Sequence, residues 1–202
     1  MINLQKGQKL DLTKGNPGLS KIMVGLGWDA GAGKPKSGGF LGNVFGGASA
    51  KIDCDASAIL LNAQDKLTSK DRLVYFGNLQ SADRSVKHSG DNLTGAGEGD
   101  DEQIQVDLGN VPSDVQKIVF VVNIYDCKNR KQDFGLIANA FIRVANPANG
   151  EELCRFNLTD TYAGKTSLVV AEVYRHNAEW KFNALGEATN DFSLSELIRR
   201  YQ

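Results

Sequence analysis

Residues 91–102 read DNLTGAGEGDDE, with five carboxylates (Asp91, Glu98, Asp100, Asp101, Glu102) among twelve residues and no lysine or arginine between them. The nearest lysine or arginine on either side is Lys87 or Lys117. Carboxylates that converge repel one another, and either a proton or a cation has to relieve them. Ca²⁺ suits such a loop, because it takes about six to eight oxygens from carboxylates, amides and backbone carbonyls. Asn92 adds a neutral oxygen, and Gly95, Gly97 and Gly99 let the backbone turn its carbonyls inward. Zn²⁺ suits it less, since His88 is the one nitrogen ligand nearby. Mg²⁺ competes, but it holds on to water and demands a strict octahedron. The alternative without a metal is a solvated acidic turn.

Asp91 and Glu102 stand at the first and last places of a twelve-residue calcium loop, so the EF-hand template can be tested directly. It fails at three places: Leu93, Gly95, and Ala96 where glycine is required. No long helices are expected on either side. A second acidic pair, Asp53 and Asp55 in KIDCDAS, is spaced two apart, so in a strand both side chains share one face. Two carboxylates in an apolar strand are unfavourable without a counter-charge. Asp29, at the end of GLGWDA, is a third acidic position, for which a turn-bonded aspartate is the plainer reading. If these strand ends lie beside the 91–102 loop, carboxylates pool at one end of a sandwich around one or two ions.

The elements that must hold these residues are mostly strands. Leu10 and Leu12, residues 21–28 (KIMVGLGW), 50–61 (AKIDCDASAILL) and 72–76 (RLVYF) carry strand patterns. QIQVDL at 103–108 alternates, placing Ile104, Val106 and Leu108 inward. KIVFVVNIY at 117–125 is nearly all apolar and reads as a central strand covered on both faces. Two hairpins follow, turning at Pro147 with Asn149-Gly150, and near His176-Asn177. SLSELIRRYQ predicts a C-terminal helix, with Ser193 as N-cap, Glu196 as its capping-box partner, and Leu194, Leu197, Ile198 and Tyr201 on one face. A second short helix is expected within KNRKQDFGLIA. The expected fold is therefore all-β: a two-sheet antiparallel β-sandwich, C2-like, with a few short helices including one at the C-terminus. Residues 1–202 read as one domain.

At 202 residues the chain can bury a core of its own. A net charge of −1 gives no positive field to attract phosphate, which argues against nucleic-acid binding. No apolar run reaches the roughly 18 residues of a membrane span, and MINLQKGQKL lacks the apolar stretch of a secretory signal. Cys54, Cys127 and Cys154 are odd in number and form no CxxC pair. They read as small core residues of a reduced, cytoplasmic protein. Residues 31–49 form a glycine-rich insertion that is expected to be a flexible loop. It carries Phe40, Leu41, Val44 and Phe45, so it either folds back on the sandwich or offers an apolar docking patch to a partner or membrane surface.

Taken together, MVGLGWDA, IDCDASAILL, GDNLTGAGEGDDEQIQVDL, IYDCKNRKQDFGLIANAFIRV and VYRHNAEWKFNALGE resemble the TerD family across residues 18–186. That family comprises bacterial tellurite-resistance and general-stress proteins, with relatives among cAMP-binding-type proteins of slime moulds. The resemblance implies a cytoplasmic, calcium-binding β-sandwich acting in resistance to tellurite, other toxic oxyanions, phage or DNA-damaging agents. It carries the acidic calcium residues over to Asp53, Asp55, Asp91, Asn92, Asp100, Asp101 and Glu102. It also implies partners among other stress or tellurite-resistance proteins, in some cases at a membrane surface. The long insertion at 31–49 resembles the stress-protein branch more than the tellurite-operon branch.

A non-enzymatic, calcium-responsive binding module is the leading functional reading. A metal-assisted hydrolase is weaker: there are two histidines, and no HExxH, GxSxG or Walker lysine. His176 is expected to be structural, Arg175 to pair with an internal carboxylate, and Trp180 and Phe182 to be core. Direct oxyanion or nucleotide binding would need Ca²⁺ to bridge the acidic loop, or the basic run Lys128, Arg130 and Lys131 to clamp an anion.

Overall fold

The structure is a computed structural model that describes residues 1–30, 52–90, 99–158, 160 and 162–202. The insertion at 31–49, with its apolar patch, lies outside the described residues, as do Asp91, Asn92 and Glu98. The described strands are β1 (Ile2–Leu4), β2 (Lys9–Asp11), β3 (Lys21–Ala30), β4 (Cys54–Leu61), β5 (Leu73–Val74) and β6 (Val86–His88). They continue with β7 (Glu102–Asp107), β8 (Lys117–Ile124), β9 (Ile137–Ala145), β10 (Glu152–Asn157), β11 (Ser167–His176) and β12 (Glu179–Thr189).

Two six-stranded sheets form the sandwich, ordered β1-β10-β9-β3-β7-β6 and β2-β12-β11-β8-β4-β5. Every ladder is antiparallel except β1 with β10, where the short N-terminal strand joins the edge in parallel. The pleat sends alternate residues inward. On β3 these are Ile22, Val24, Leu26 and Trp28; on β7, Ile104 and Val106; on β8, Ile118, Phe120, Val122 and Ile124. β8 lies inside its sheet and is apolar on both faces, as its sequence predicts.

The outer face of β4 changes character along its length. Asp53 and Asp55 lie at one end, Ser57 follows, and Ile59 and Leu61 finish the row. The apolar end joins Val119, Val121 and Val169 in a second core, which the C-terminal segment covers. α1 (Cys127–Arg130) is one helical turn, and that segment is another, α2 (Leu194–Leu197), running on as a 3₁₀ turn over Ile198–Tyr201. Ser193 Oγ accepts from the Glu196 N–H at 3.3 Å, while the Glu196 carboxylate reaches the Phe192 N–H, one residue beyond the expected partner. Leu194, Leu197, Ile198 and Tyr201 all pack on the second core.

Other departures have local causes. The helix expected in KNRKQDFGLIA divides into α1 and a 3₁₀ turn at Phe134–Leu136. Lys131 enters the left-handed region at φ 53°, and the Asp133 carboxylate starts the second turn by accepting from the Gly135 N–H at 2.7 Å. The 72–76 strand shrinks to Leu73–Val74, because a 3₁₀ turn occupies Lys70–Arg72 and Tyr75 bridges back to Asn78. β1 and β6, three residues each, are too short for a periodic signal.

Leu197 is fully buried beneath this C-terminal turn. Leu197→Ala is expected to cost about 2–5 kcal/mol by cavity formation, measured as a lower urea midpoint. Phe192→Ala, an exposed neighbour outside that core, is expected to move the midpoint far less.

Candidate metal centre at the acidic end of the sandwich

Glycines 25 and 27 lie on the outer face of β3, between inward-facing Val24, Leu26 and Trp28. A Cβ at Gly25 would sit 2.3 Å from the Asp100 carboxylate, and one at Gly27 would sit 2.5 Å from the Phe141 ring and 2.6 Å from the Gly99 carbonyl. Bare backbone is therefore what lets the acidic loop lie flat on the sheet. There Arg143 grips Asp100 from both sides, with Nε donating to Oδ1 at 2.7 Å and Nη2 to Oδ2 at 2.8 Å. Gln103 Nε2 donates to the same carboxylate at 3.1 Å. Arg143 Nη1 continues to Glu152 at 3.3 Å, and Arg155 Nε donates to Glu152 at 2.8 Å while its guanidinium stacks 4.1 Å from the Phe141 ring. The Arg155 hydrogen bonds, followed by its charge and those of Arg143, outweigh burial and hold the Glu152 carboxyl below its usual range.

The next residue turns back into β3. The Asp101 N–H donates to the Leu26 carbonyl at 2.8 Å, and Asp101 Oδ2 accepts from the Trp28 N–H at 2.8 Å. Burial raises the Asp101 pKa against that hydrogen bond, with the charges of Asp29, Asp100 and Glu102 adding to the rise. Asp29 itself is exposed and accepts from Asn139 Nδ2 at 2.7 Å.

Glu102 faces the interior and crosses to the other sheet. Its Oε2 accepts from the Ala56 N–H at 2.6 Å, and His88 Nε2 lies 3.1 Å from the Ala56 carbonyl. Because His88 Nδ1 accepts from the Gly90 N–H, its proton is assigned to Nε2, which also lies 3.4 Å from Glu102. β5 pairs with β4 only at Ala58 and Ile59, so these two side chains of one sheet supply the hydrogen bonds that Ala56 of the other would otherwise lack.

Asp53 and Asp55 share the outer face of β4, as their spacing requires. Asp53 lies 3.7 Å from Arg130 Nη1, and Asp55 accepts from Asn123 Nδ2 at 3.4 Å. Between them sits Cys54, wholly inside. Burial pushes its thiol up first, then the charges of Asp55, Glu102, Asp53 and Asp101 in that order. The charges of four carboxylates, from both sheets, thus reach one buried thiol, with Asp53 and Asp55 on the outer face of β4 and Glu102 on its inner side. Among the described residues, no three His, Cys, Asp or Glu side chains stand in a preassembled metal centre.

Asp53 and Asp55 therefore share the outer face of β4, Asp101 bonds to β3, Glu102 turns into the interior, Asp100 is held by Arg143, and Asp29 is exposed beside Asn139. Asp91 and Asn92 fall outside the described residues. Sequence marked His88 only as the one nitrogen ligand near the acidic loop, and did not mark Arg143. Each had a weak signal: a histidine on the inward register of a short strand, and an arginine between Ile142 and Val144 facing the opposite way. His176 is exposed at the far end of β11, nine residues from Ser167, which pairs with Asn123 at the acidic end. At roughly 3.3 Å per residue that is about 30 Å away. Arg175 does not pair with a carboxylate; it donates to the carbonyls of Val115 at 3.1 Å and Val111 at 2.8 Å and stacks on Trp180. Trp180 and Phe182 are core, and all three cysteines are buried.

A family model for the TerD domain matches residues 1–201. Stress response protein SCP2 of Bacillus subtilis (strain 168) is 58% identical over 200 residues, covering 99% of this chain and 98% of that protein. Tellurium resistance protein TerD of Serratia marcescens is 41% identical over 186 residues, covering 92% and 90%. Among solved structures, a homologue of telluride resistance protein (TerD) from Streptomyces coelicolor A3(2) superimposes with a TM-score of 0.61 at 22% identity, covering 86% of this chain and 92% of that one.

Gly25→Ala is expected to drive a methyl group into the Asp100 carboxylate and cost about 1–3 kcal/mol, read from urea unfolding. For Glu152→Gln the effect depends on pH. A carboxyl held below its ordinary value of 4.5 stabilises the fold above that pH, and loses the contribution as pH falls through the folded value. The stability gap between the parent chain and Glu152→Gln is thus expected to be widest at neutral pH and to close on acidification below 4.5, measured by denaturation at stepped pH.

Proposed function

The chain belongs to the TerD family, and from that premise we propose that it is a calcium-binding, non-enzymatic module of stress and tellurite resistance. Its relatives carry the names of stress-response and tellurium-resistance proteins, which supports a role of that kind. The observation that carries the metal reading is that Asp53 and Asp55 at the start of β4 and Asp101 and Glu102 at the end of the acidic loop lie at one end of the sandwich, near enough for the charges of all four to raise the pKa of Cys54. The raised pKa of Asp101 fits a loop whose charge wants a cation. The donor set is all oxygen, which suits Ca²⁺ over zinc.

Asp53, Asp55 and Asp101 would hold the ion, joined by Asp91 and Asn92. Glu102 would contribute while keeping one oxygen on Ala56. Asp100, gripped by Arg143, would fix the loop to the sheet rather than coordinate, and Asp29 would stand just outside. Bound Ca²⁺ supplies positive charge that lets these carboxylates stay ionised together. The ordered end would then dock other stress or tellurite-resistance proteins, in the cytoplasm or at a membrane surface; no helix among the described residues is long and apolar enough to cross a membrane. The absence of turnover is supported by His176 lying far from the carboxylates, by His88 having both ring nitrogens engaged at Ala56 and Gly90, and by buried thiols, Cys154 being pushed up to about 12. Lys128 stacks on Phe192, while Arg130 faces Asp53 and Tyr125, so neither is poised to clamp an anion.

Thermal unfolding in EDTA, then with Ca²⁺ and with Mg²⁺, tests this. At a hundred times its dissociation constant, Ca²⁺ is expected to stabilise the fold by about 2.7 kcal/mol, or about 2–4 °C in midpoint for each kcal/mol. Asp53→Asn, Asp55→Asn and Asp101→Asn are each expected to reduce that rise, and Asp114→Asn, an exposed carboxylate paired with Arg72, to leave it intact. A parent chain with no calcium-selective rise would refute the metal reading.

A further inference from the structure

A cavity of about 470 Å³ opens on the outer face of the β4–β8 sheet, just where the row on β4 passes from acidic to apolar and α2 begins. Its size is that of a small-molecule site. The floor is polar and incompletely bonded. Ser57 Oγ and Asn123 Oδ1 have no hydrogen-bond partner, although Ser57 is 0% and Asn123 6% exposed. Asp55 orients the Asn123 amide by accepting from its Nδ2, which leaves the carbonyl oxygen facing away from that bond. Buried polar atoms of this kind ordinarily find a partner, so their persistence in a cavity wall points to an absent one.

The rim is aromatic. Among the described residues the exposed large aromatic side chains are Phe76, Tyr125 and Phe192, and all three line this one cavity. Phe76 and Tyr125 stand edge to face, 6.5 Å between centroids. The described lining holds two carboxylates, Asp55 and Asp126, and no lysine, arginine or histidine, although Lys128 stands 5.7 Å over the Phe192 ring and Arg130 5.2 Å over the Tyr125 ring. The acceptors and carboxylate of the floor select for positive charge and N–H donors, and the rings of the rim for a flat apolar body.

We infer that this cavity binds a small organic cation of the amidinium or guanidinium type, its N–H groups on Asn123 Oδ1, Ser57 Oγ and Asp55 and its body among Phe76, Tyr125 and Phe192. The inference goes beyond the calcium reading, although the two share Asp55. Benzamidine is the probe, with benzyl alcohol and benzoate as neutral and anionic counterparts. Calorimetric titration of the full chain, in EDTA and in saturating Ca²⁺, is expected to give saturable binding of benzamidine in at least one buffer. Benzyl alcohol is expected to bind at least about tenfold more weakly, having lost a charge-assisted hydrogen bond, and benzoate not at all. Phe76→Ala, at an exposed position, is expected to weaken benzamidine about fivefold through the lost ring contact, and Asn123→Ala more. No saturable heat in either buffer, equal binding of the three probes, or unchanged affinity in both variants would overturn the assignment. Calcium-dependent melting reads the metal proposal independently, so either can fail while the other stands.

Discussion

The bond between the Glu102 carboxylate and the Ala56 N–H is the interaction on which the acidic end depends. It joins one sheet to the other where the β4 edge has run out of ladder partners, and His88 completes it at the Ala56 carbonyl. Glu102 is buried, and a hydrogen bond in a low local dielectric is stronger than the same bond in water. The two sheets are thus held in register at the place where Asp53 and Asp55 leave β4 and Asp101 leaves the acidic loop. Were this bond missing, the distance between carboxylates that belong to different sheets would rest on His88 and on core packing, among the described residues.

A second constraint acts from outside. Gly25 and Gly27 keep the outer face of β3 bare, and Asp100 and Gly99 lie in the space left. Arg143 then neutralises Asp100, so one of the loop's charges is absorbed into the scaffold. The loop's end is pinned at three successive residues, each pointing differently: Asp100 to the outer face, Asp101 along β3, Glu102 into the interior. That division explains how a dense run of acids is tolerated. Part of its charge is used structurally, in the ion pair of Asp100 with Arg143.

Much of this was legible in the chain. The alternation of 103–108, the apolar run of 117–125 and the two hairpin turns fix most of both sheets, because period-two patterning and left-handed turn residues are local signals. The spacing of Asp53 and Asp55 placed them on one face, and the structure agrees. What escaped was non-local. That Asp100 would meet Arg143, forty-three residues away, follows from β3 lying between β7 and β9, and no single window contains it. Arg175 was expected to find a carboxylate but holds two backbone carbonyls, since the loop at Val111 and Val115 folds under it. The inward turn of His88 likewise depends on β6 being paired at all, and three residues are too few to announce a strand.

The three thiols give the molecule an unadvertised durability. Each is buried and has its pKa raised, and Cys54 is additionally fenced by fixed negative charge. Oxidants and thiol-seeking metalloids attack the thiolate, and in the folded chain that form is suppressed at every cysteine. The cysteines of the folded protein are therefore poor targets for such reagents.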